Sequence, residues 1–186
     1  ICEKPLANNV SEATEMEAAA TSARAKGVRS MVAFNYRRVP ALAYAKKLIS
    51  DGVLGQLYHV RANYLQDWII DPEFPLVWRL DKNTAGSGAL GDIGAHIIDA
   101  SYFLTNNKIL SVSGQLKTFI EERPLPGQYT GLVASGSSGR GKVTVDDTAF
   151  FTANFENGAI GVFEATRFAA GRKNAMSIEK IGRAHV

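Results

Sequence analysis

The chain has one cysteine, Cys2, so no disulfide can form within it, and a reducing compartment, the cytoplasm, is expected. It has no apolar run near the roughly 20 residues that a membrane-spanning helix needs. An excess of either charge is also missing: 21 basic residues against 18 acidic ones leave +3. The basic residues form pairs, such as Arg37-Arg38 and Lys46-Lys47, but no longer run. Neither a nucleic-acid footprint nor a membrane surface is expected. No internal repeat is visible. SGSSGRGK has glycines and a lysine without the spacing of a phosphate loop, and reads as a flexible loop.

What is present is a soluble-domain composition: 186 residues, 46% hydrophobic and 21% charged, enough for a sizeable core. The stretch 85–104, AGSGALGDIGAHIIDASYFL, organises the rest. Four glycines precede and interrupt the start of an apolar helical run. Asp92 and His96 stand four residues apart, which on a helix places both on one face. A carboxylate able to orient an imidazole, beside backbone free of Cβ bulk, suits acid/base chemistry next to a flat ligand.

Upstream, Asn9 and Glu12 have capping-box spacing for a helix that reaches about Lys26 and stops at Gly27. Its small face is Ala13, Met16, Ala20 and Ala23. The run 28–34 reads as a strand buried on both sides. Strand, helix, strand makes a right-handed crossover in a parallel sheet. Ligands bind beyond the carboxyl ends of such strands, where Glu3-Lys4-Pro5 and Asn35-Tyr36-Arg37-Arg38 fall. A second helix follows Pro40 and ends before Gly52, and the domain boundary is placed near residue 54.

Leu57 to Gln66 alternates as a half-buried strand, with His59 as a face residue and not a ligand. The stretch 67–84, with Trp68, Pro72, Pro75 and Trp78, is a long loop of the kind that carries function. Trp78-Arg79 joins a flat surface to a forked donor. Strands are expected at 111–120, 144–154 and 159–168, with Glu156-Asn157-Gly158 as a hairpin turn. The segment 121–141 reads as a mobile connection. The second half is thus an antiparallel sheet with a helix, an α+β domain. The final IGRAHV (181–186) matches one reading frame of a common sequencing adapter and is expected to be an artefact, which would empty His185 of meaning.

EKP, NYRR, WR and GDIGAHIID, in that order, resemble the Gfo/Idh/MocA oxidoreductases. The resemblance implies residues 1–53 as the C-terminal part of a Rossmann parallel-sheet domain and residues 54–186 as a mostly antiparallel α+β domain for substrate and oligomer contacts. It implies hydride transfer between NAD or NADP and a secondary alcohol of a sugar or cyclitol, in a homodimer or homotetramer. Lys4, Asp92 and His96 match the family's catalytic positions. Glu3, Lys4, Pro5, Asn35, Trp78 and Arg79 fall at the nicotinamide end of the cofactor pocket. Arg37, with Asp92 and His96, falls on the substrate side. The G-x-G-x-x-G fingerprint is absent, so an internal fragment, itself without turnover, is expected. Two other readings are a non-catalytic binding relative and a metal-dependent hydrolase or isomerase using Asp92, His96 and Asp99.

Overall fold

The structure, a computed structural model, describes residues 1–130 and 133–182. Helix α1 (Val10–Arg24) begins where Asn9 accepts the Glu12 backbone N–H at 3.0 Å, and Glu12 answers by accepting the Asn8 N–H. Helix α2 (Pro40–Ser50) starts on its proline as expected. The expected strand at 28–34 does not extend. Cys2 and Val32 form one parallel bridge, and Val28 and Met31 stay exposed. Parallel direction is therefore right, but with Cys2 as its sole ladder partner the run is neither a strand nor doubly buried. No residue of α1 is buried either.

The rest is a five-stranded mixed sheet of order β2-β5-β6-β1-β7. Its strands are β1 (Leu57–Leu65), β2 (Ile109–Lys117), β5 (Thr148–Phe155), β6 (Ile160–Thr166) and β7 (Ala175–Gly182). Three of its four pairings are antiparallel, in keeping with the mostly antiparallel expectation, and β1 and β6 run parallel, so the sheet is mixed. Of the antiparallel pairs in this sheet, only β5–β6 is joined by a short turn. The parallel one joins strands about a hundred residues apart and leaves no mark in either strand's own alternation. A register shift after Leu57 puts Val60, Ala62 and Tyr64 on the buried face while leaving Tyr58 exposed.

Between β1 and β2 lie a short helix α3 (Lys82–Ala85), a π-helical turn at Leu90–Gly94 and helix α4 (Ala95–Thr105). Ile93 and Ile97 from this run meet Val60, Ala62, Ala149, Phe163 and Ala165 in the main core. Burial on that scale is the chief stabilising force of the domain. The hairpin turn at Glu156-Asn157-Gly158 is present, with Gly158 at φ +83°.

The segment 121–141 is not a free connection. It forms β3 (Glu122–Thr130) and β4 (Val133–Lys142), a separate antiparallel pair, so the backbone of SGSSGRGK is strand. Pro124 and Pro126 sit at register shifts, the tolerated place for proline in a two-stranded ribbon. The loop 67–84 folds under this ribbon around a second apolar cluster of Ile69, Val77, Leu80, Val143 and Val145. Ile181 and Gly182, the first two residues of the suspected artefact, are part of β7; its remainder, 183–186, lies outside the described residues.

Candidate active site

Because β1 and β6 are parallel, their carboxyl ends lie side by side, and the chain leaving each one enters the same region. The start of the π turn is held there by Asp146, which accepts the backbone N–H of Gly88 at 2.9 Å and of Leu90 at 2.7 Å. A carboxylate at a helix start satisfies N–H groups that lack intrahelical partners. Gly88 is required by this clamp, since a Cβ there would stand 1.8 Å from the Asp146 carbonyl oxygen. The glycines thus serve internal packing more than ligand clearance. Gly91 alone among them faces the cleft, and its Cβ would strike the Ser87 hydroxyl.

The π turn, a helical irregularity that recurs at functional sites, carries Asp92 into a cleft of about 110 Å³ also lined by Lys4, Pro5, Trp78, Arg79 and Arg167. Lys4 Nζ donates to Asp92 Oδ1 at 3.1 Å and to the Asp92 carbonyl at 2.5 Å. From the opposite side Arg167 Nη2 donates to Asp92 Oδ2 at 2.9 Å. Burial pushes the Asp92 carboxyl up, but Arg167 and then Lys4 outweigh it and hold it below the ordinary carboxylate value. Arg79 lies over the Trp78 ring at 4.4 Å, and the ring is 43% exposed.

His96 sits on the first turn of α4, only 9% exposed. Its ring meets Phe34, Tyr36 and Tyr64 at centroid distances of 6.1, 4.9 and 6.0 Å. Burial in this aromatic box, aided by the charge of Lys4 and opposed by Asp92 and Asp99, pushes the imidazole down to about 4. Burial dominates, and the ring is neutral at neutral pH. The expected orientation by Asp92 is absent. Both Asp92 oxygens are taken by Lys4 and Arg167, and His96 Nδ1 is buried without a partner. Tyr36 and Tyr64 share a hydrogen bond of 2.7 Å, and Tyr64 donates onward to Asn174 at 2.8 Å.

Lys4, Pro5, Trp78, Arg79 and Asp92 are thus brought to one cleft, with His96 one helical turn beyond. Glu3 is exposed and does not line it. Asn35 lines a different cavity, between Met31 and Phe103. Arg37 lines that cavity too, and its guanidinium forks onto Asp99, Nε donating to Oδ2 at 2.8 Å and Nη2 to Oδ1. Asp99 is therefore committed away from Asp92 and His96, and among the described residues no three metal-ligating side chains converge. Nor, among those residues, is any helix long and apolar enough to cross a membrane. Arg167 was not anticipated. The one signal was an arginine at the end of an apolar strand, in EATRF, where exposure would be the default.

Comparison with known proteins bears on this geometry. Residues 42–183 match the family model of the GFO/IDH/MocA C-terminal domain. Levoglucosan dehydrogenase of Pseudarthrobacter phenanthrenivorans is 46% identical over 182 residues, covering 96% of this chain and 46% of that protein. The crystal structure of an oxidoreductase domain protein from Kribbella flavida superposes with a TM-score of 0.91 at 64% identity, over 97% of this chain and 46% of the other. A levoglucosan dehydrogenase solved with NADH and levoglucosan superposes at 0.86 with 45% identity, over 97% of this chain and 44% of that one. The chain thus spans less than half the length of these relatives. The chain belongs to the GFO/IDH/MocA oxidoreductase family.

Proposed function

We propose that the whole protein is an NAD(P)-dependent dehydrogenase acting on a secondary hydroxyl of a sugar, anhydrosugar or cyclitol. One observation carries this reading. An ammonium and a carboxylate are paired in a cleft, one helical turn from an imidazole kept neutral by burial. The solved relative with NADH and levoglucosan supports the substrate and cofactor class.

The cleft fits the nicotinamide end of such a cofactor. Trp78 offers a partly exposed flat face, Arg79 a fork of donors stacked upon it, and Lys4 with Pro5 a wall opposite. When bound, the cofactor supplies the hydride acceptor or donor. Lys4 holds a positive charge where the substrate oxygen gains alkoxide character. His96, neutral and inside its aromatic box, accepts the hydroxyl proton in oxidation and returns it in reduction. Asp92 keeps Lys4 in place. Residues 1–53 are read as belonging to the cofactor-binding domain and the remainder as the substrate domain. The reading extends to pairing of two copies over the open sheet face, where Phe150, Ile160 and Val162 are exposed.

The test is to assay the whole protein against a panel of sugars, cyclitols and levoglucosan with NAD+ and NADP+, following nicotinamide absorbance. His96→Ala is expected to lower kcat by about 10²–10⁴-fold. Tight cofactor binding with no substrate oxidised would replace the dehydrogenase by a sensor. Sedimentation of the same sample tests the pairing.

A further inference from the structure

Arg167 is almost wholly buried, at 1% exposure, and its hydrogen bonding is unusual for such a group. One nitrogen, Nη2, donates to Asp92, while Nε and Nη1 have no partner. The guanidinium carbon lies 5.3 Å from the Trp68 ring centre, and the backbone N–H is tied to the Asp147 carbonyl at 3.0 Å. A buried ion pair can often be replaced as a whole by apolar side chains of similar volume at no cost in stability, so the Arg167–Asp92 pair is weak evidence of a purely stabilising role. The guanidinium here has one directed task, and that task is the Asp92 carboxylate.

We propose that Arg167 is a positioning residue of the dehydrogenase site: it fixes the Asp92 carboxylate, and through Asp92 the Lys4 ammonium, at the cleft where the substrate hydroxyl reacts. This rests on the dehydrogenase reading above. The geometry is a clamp from two sides. Lys4 takes Oδ1 and Arg167 takes Oδ2, so the carboxylate cannot turn toward either one without losing the other. The two cations are not equivalent. Lys4 stands in the cleft with its side chain 16% exposed, whereas Arg167 is sealed at the sheet end, anchored by strand β6 and Trp68. Arg167 is the fixed jaw, and Lys4 is the one that meets substrate. The other titratable groups acting on or felt by Asp92 are His96 from α4 and Tyr64 from β1. Neither donates a hydrogen bond to it. A guanidinium suits the fixed jaw because its planar fork holds one orientation and keeps its charge when buried, where an ammonium sheds it more readily.

The test uses Arg167→Met, which keeps the stem against Trp68, and Arg167→Lys, which keeps a charge, in the whole protein. In Arg167→Met, kcat is expected to fall about 10–100-fold with KM for the hydroxyl substrate within about threefold. Arg167→Lys should recover part of that loss. A readout independent of turnover is the carboxyl carbon resonance of labelled aspartate, assigned by its disappearance in Asp92→Asn. Its titration midpoint should move up by about 1 pH unit or more in Arg167→Met and stay near wild type in Arg167→Lys. Unchanged kcat and an unmoved midpoint in a folded Arg167→Met protein overturn the inference, as do equal losses in both variants. If Arg167→Met fails to fold, Arg167→Lys alone decides: kcat at the wild-type level overturns it, and a lower kcat at unchanged KM upholds it. Absence of hydride transfer in the wild type would defeat the dehydrogenase reading, while the carboxyl midpoint still reports whether Arg167 holds Asp92.

Discussion

Two buried arginines divide the labour of this domain in opposite ways. Arg123, at the start of β3, gives Nη1 to the carbonyls of Asp71 and Phe74 at 2.8 and 3.2 Å, and Nη2 to that of Ile69 at 2.6 Å. It staples the 67–84 loop, with one nitrogen, Nε, left over. Arg167 touches no such carbonyl through its side chain and holds one carboxylate. Aspartates on the loop side behave like Arg123: Asp146 and Asp147 accept backbone N–H groups at Gly88, Leu90, Phe119 and Ile120. On that side, buried charge is spent mostly on backbone. In the cleft it is spent on other charges, and polar atoms such as His96 Nδ1 are left without partners. Unpartnered atoms occur on both sides, Arg123 Nε and Asp147 Oδ1 on the loop side and Arg167 Nε, Arg167 Nη1 and His96 Nδ1 at the cleft, but at the cleft the charges bind one another.

The comparison is broken most sharply at Arg123. Arg123→Met removes the shared donor from three buried carbonyls and should destabilise the whole protein by about 3 kcal/mol in urea unfolding. Arg167→Met, which strands no carbonyl, should cost clearly less on the same scale. Next in size is a pH effect. The imidazole of His96 is depressed in the folded state to about 4, so between its unfolded value, about 6.5, and about 4 the unfolded chain binds the extra proton. Stability is therefore highest above about pH 6.5 and falls as pH drops toward 4, by about 3 kcal/mol from this group. His96→Leu should flatten that slope, and a variant as steep as the wild type would reassign the effect. Asp146→Ala, which frees two helix-start N–H groups, should cost about 1–2 kcal/mol by thermal unfolding. Smallest is Arg61→Ala on the open sheet face. Its contact with Glu179 at 3.7 Å is solvent-exposed, and a change beyond about 1 kcal/mol would contradict the surface-pair expectation.

Much of this was legible beforehand where the signal is local. Asn9 and Pro40 marked helix starts, Glu156-Asn157-Gly158 marked a turn, and the spacing of GDIGAHIID placed Asp92 and His96 on one helical run. What was not legible depends on distant partners. Glycine, serine and proline in 121–141 read as loop, because nothing local reveals that two such stretches will pair. The run 28–34 is apolar enough for a strand, but a strand is defined by its neighbours. The π turn that sends Asp92 to Lys4 and Arg167 is invisible to a 3.6-residue period, and Arg167 lies 75 residues beyond its carboxylate.

The place of β1 in the sheet has a consequence for synthesis. It is an interior strand, beside the edge strand β7, yet both its neighbours, β6 and β7, come from about a hundred residues later in the chain. At about 5–20 residues per second on the ribosome, β1 waits roughly 5–20 s with both edges unpaired before either partner emerges. Contacts of such long separation make folding slow. Lys4 and Asp92 are translated before Arg167, which follows β6 directly, so the cleft gains its second cation only after β6 has been made. A ribosome stalled before β6 would hold a nascent chain with Lys4, Asp92 and His96 but without the Arg167 side of the cleft, and that chain would be a natural client for a chaperone that covers strand edges.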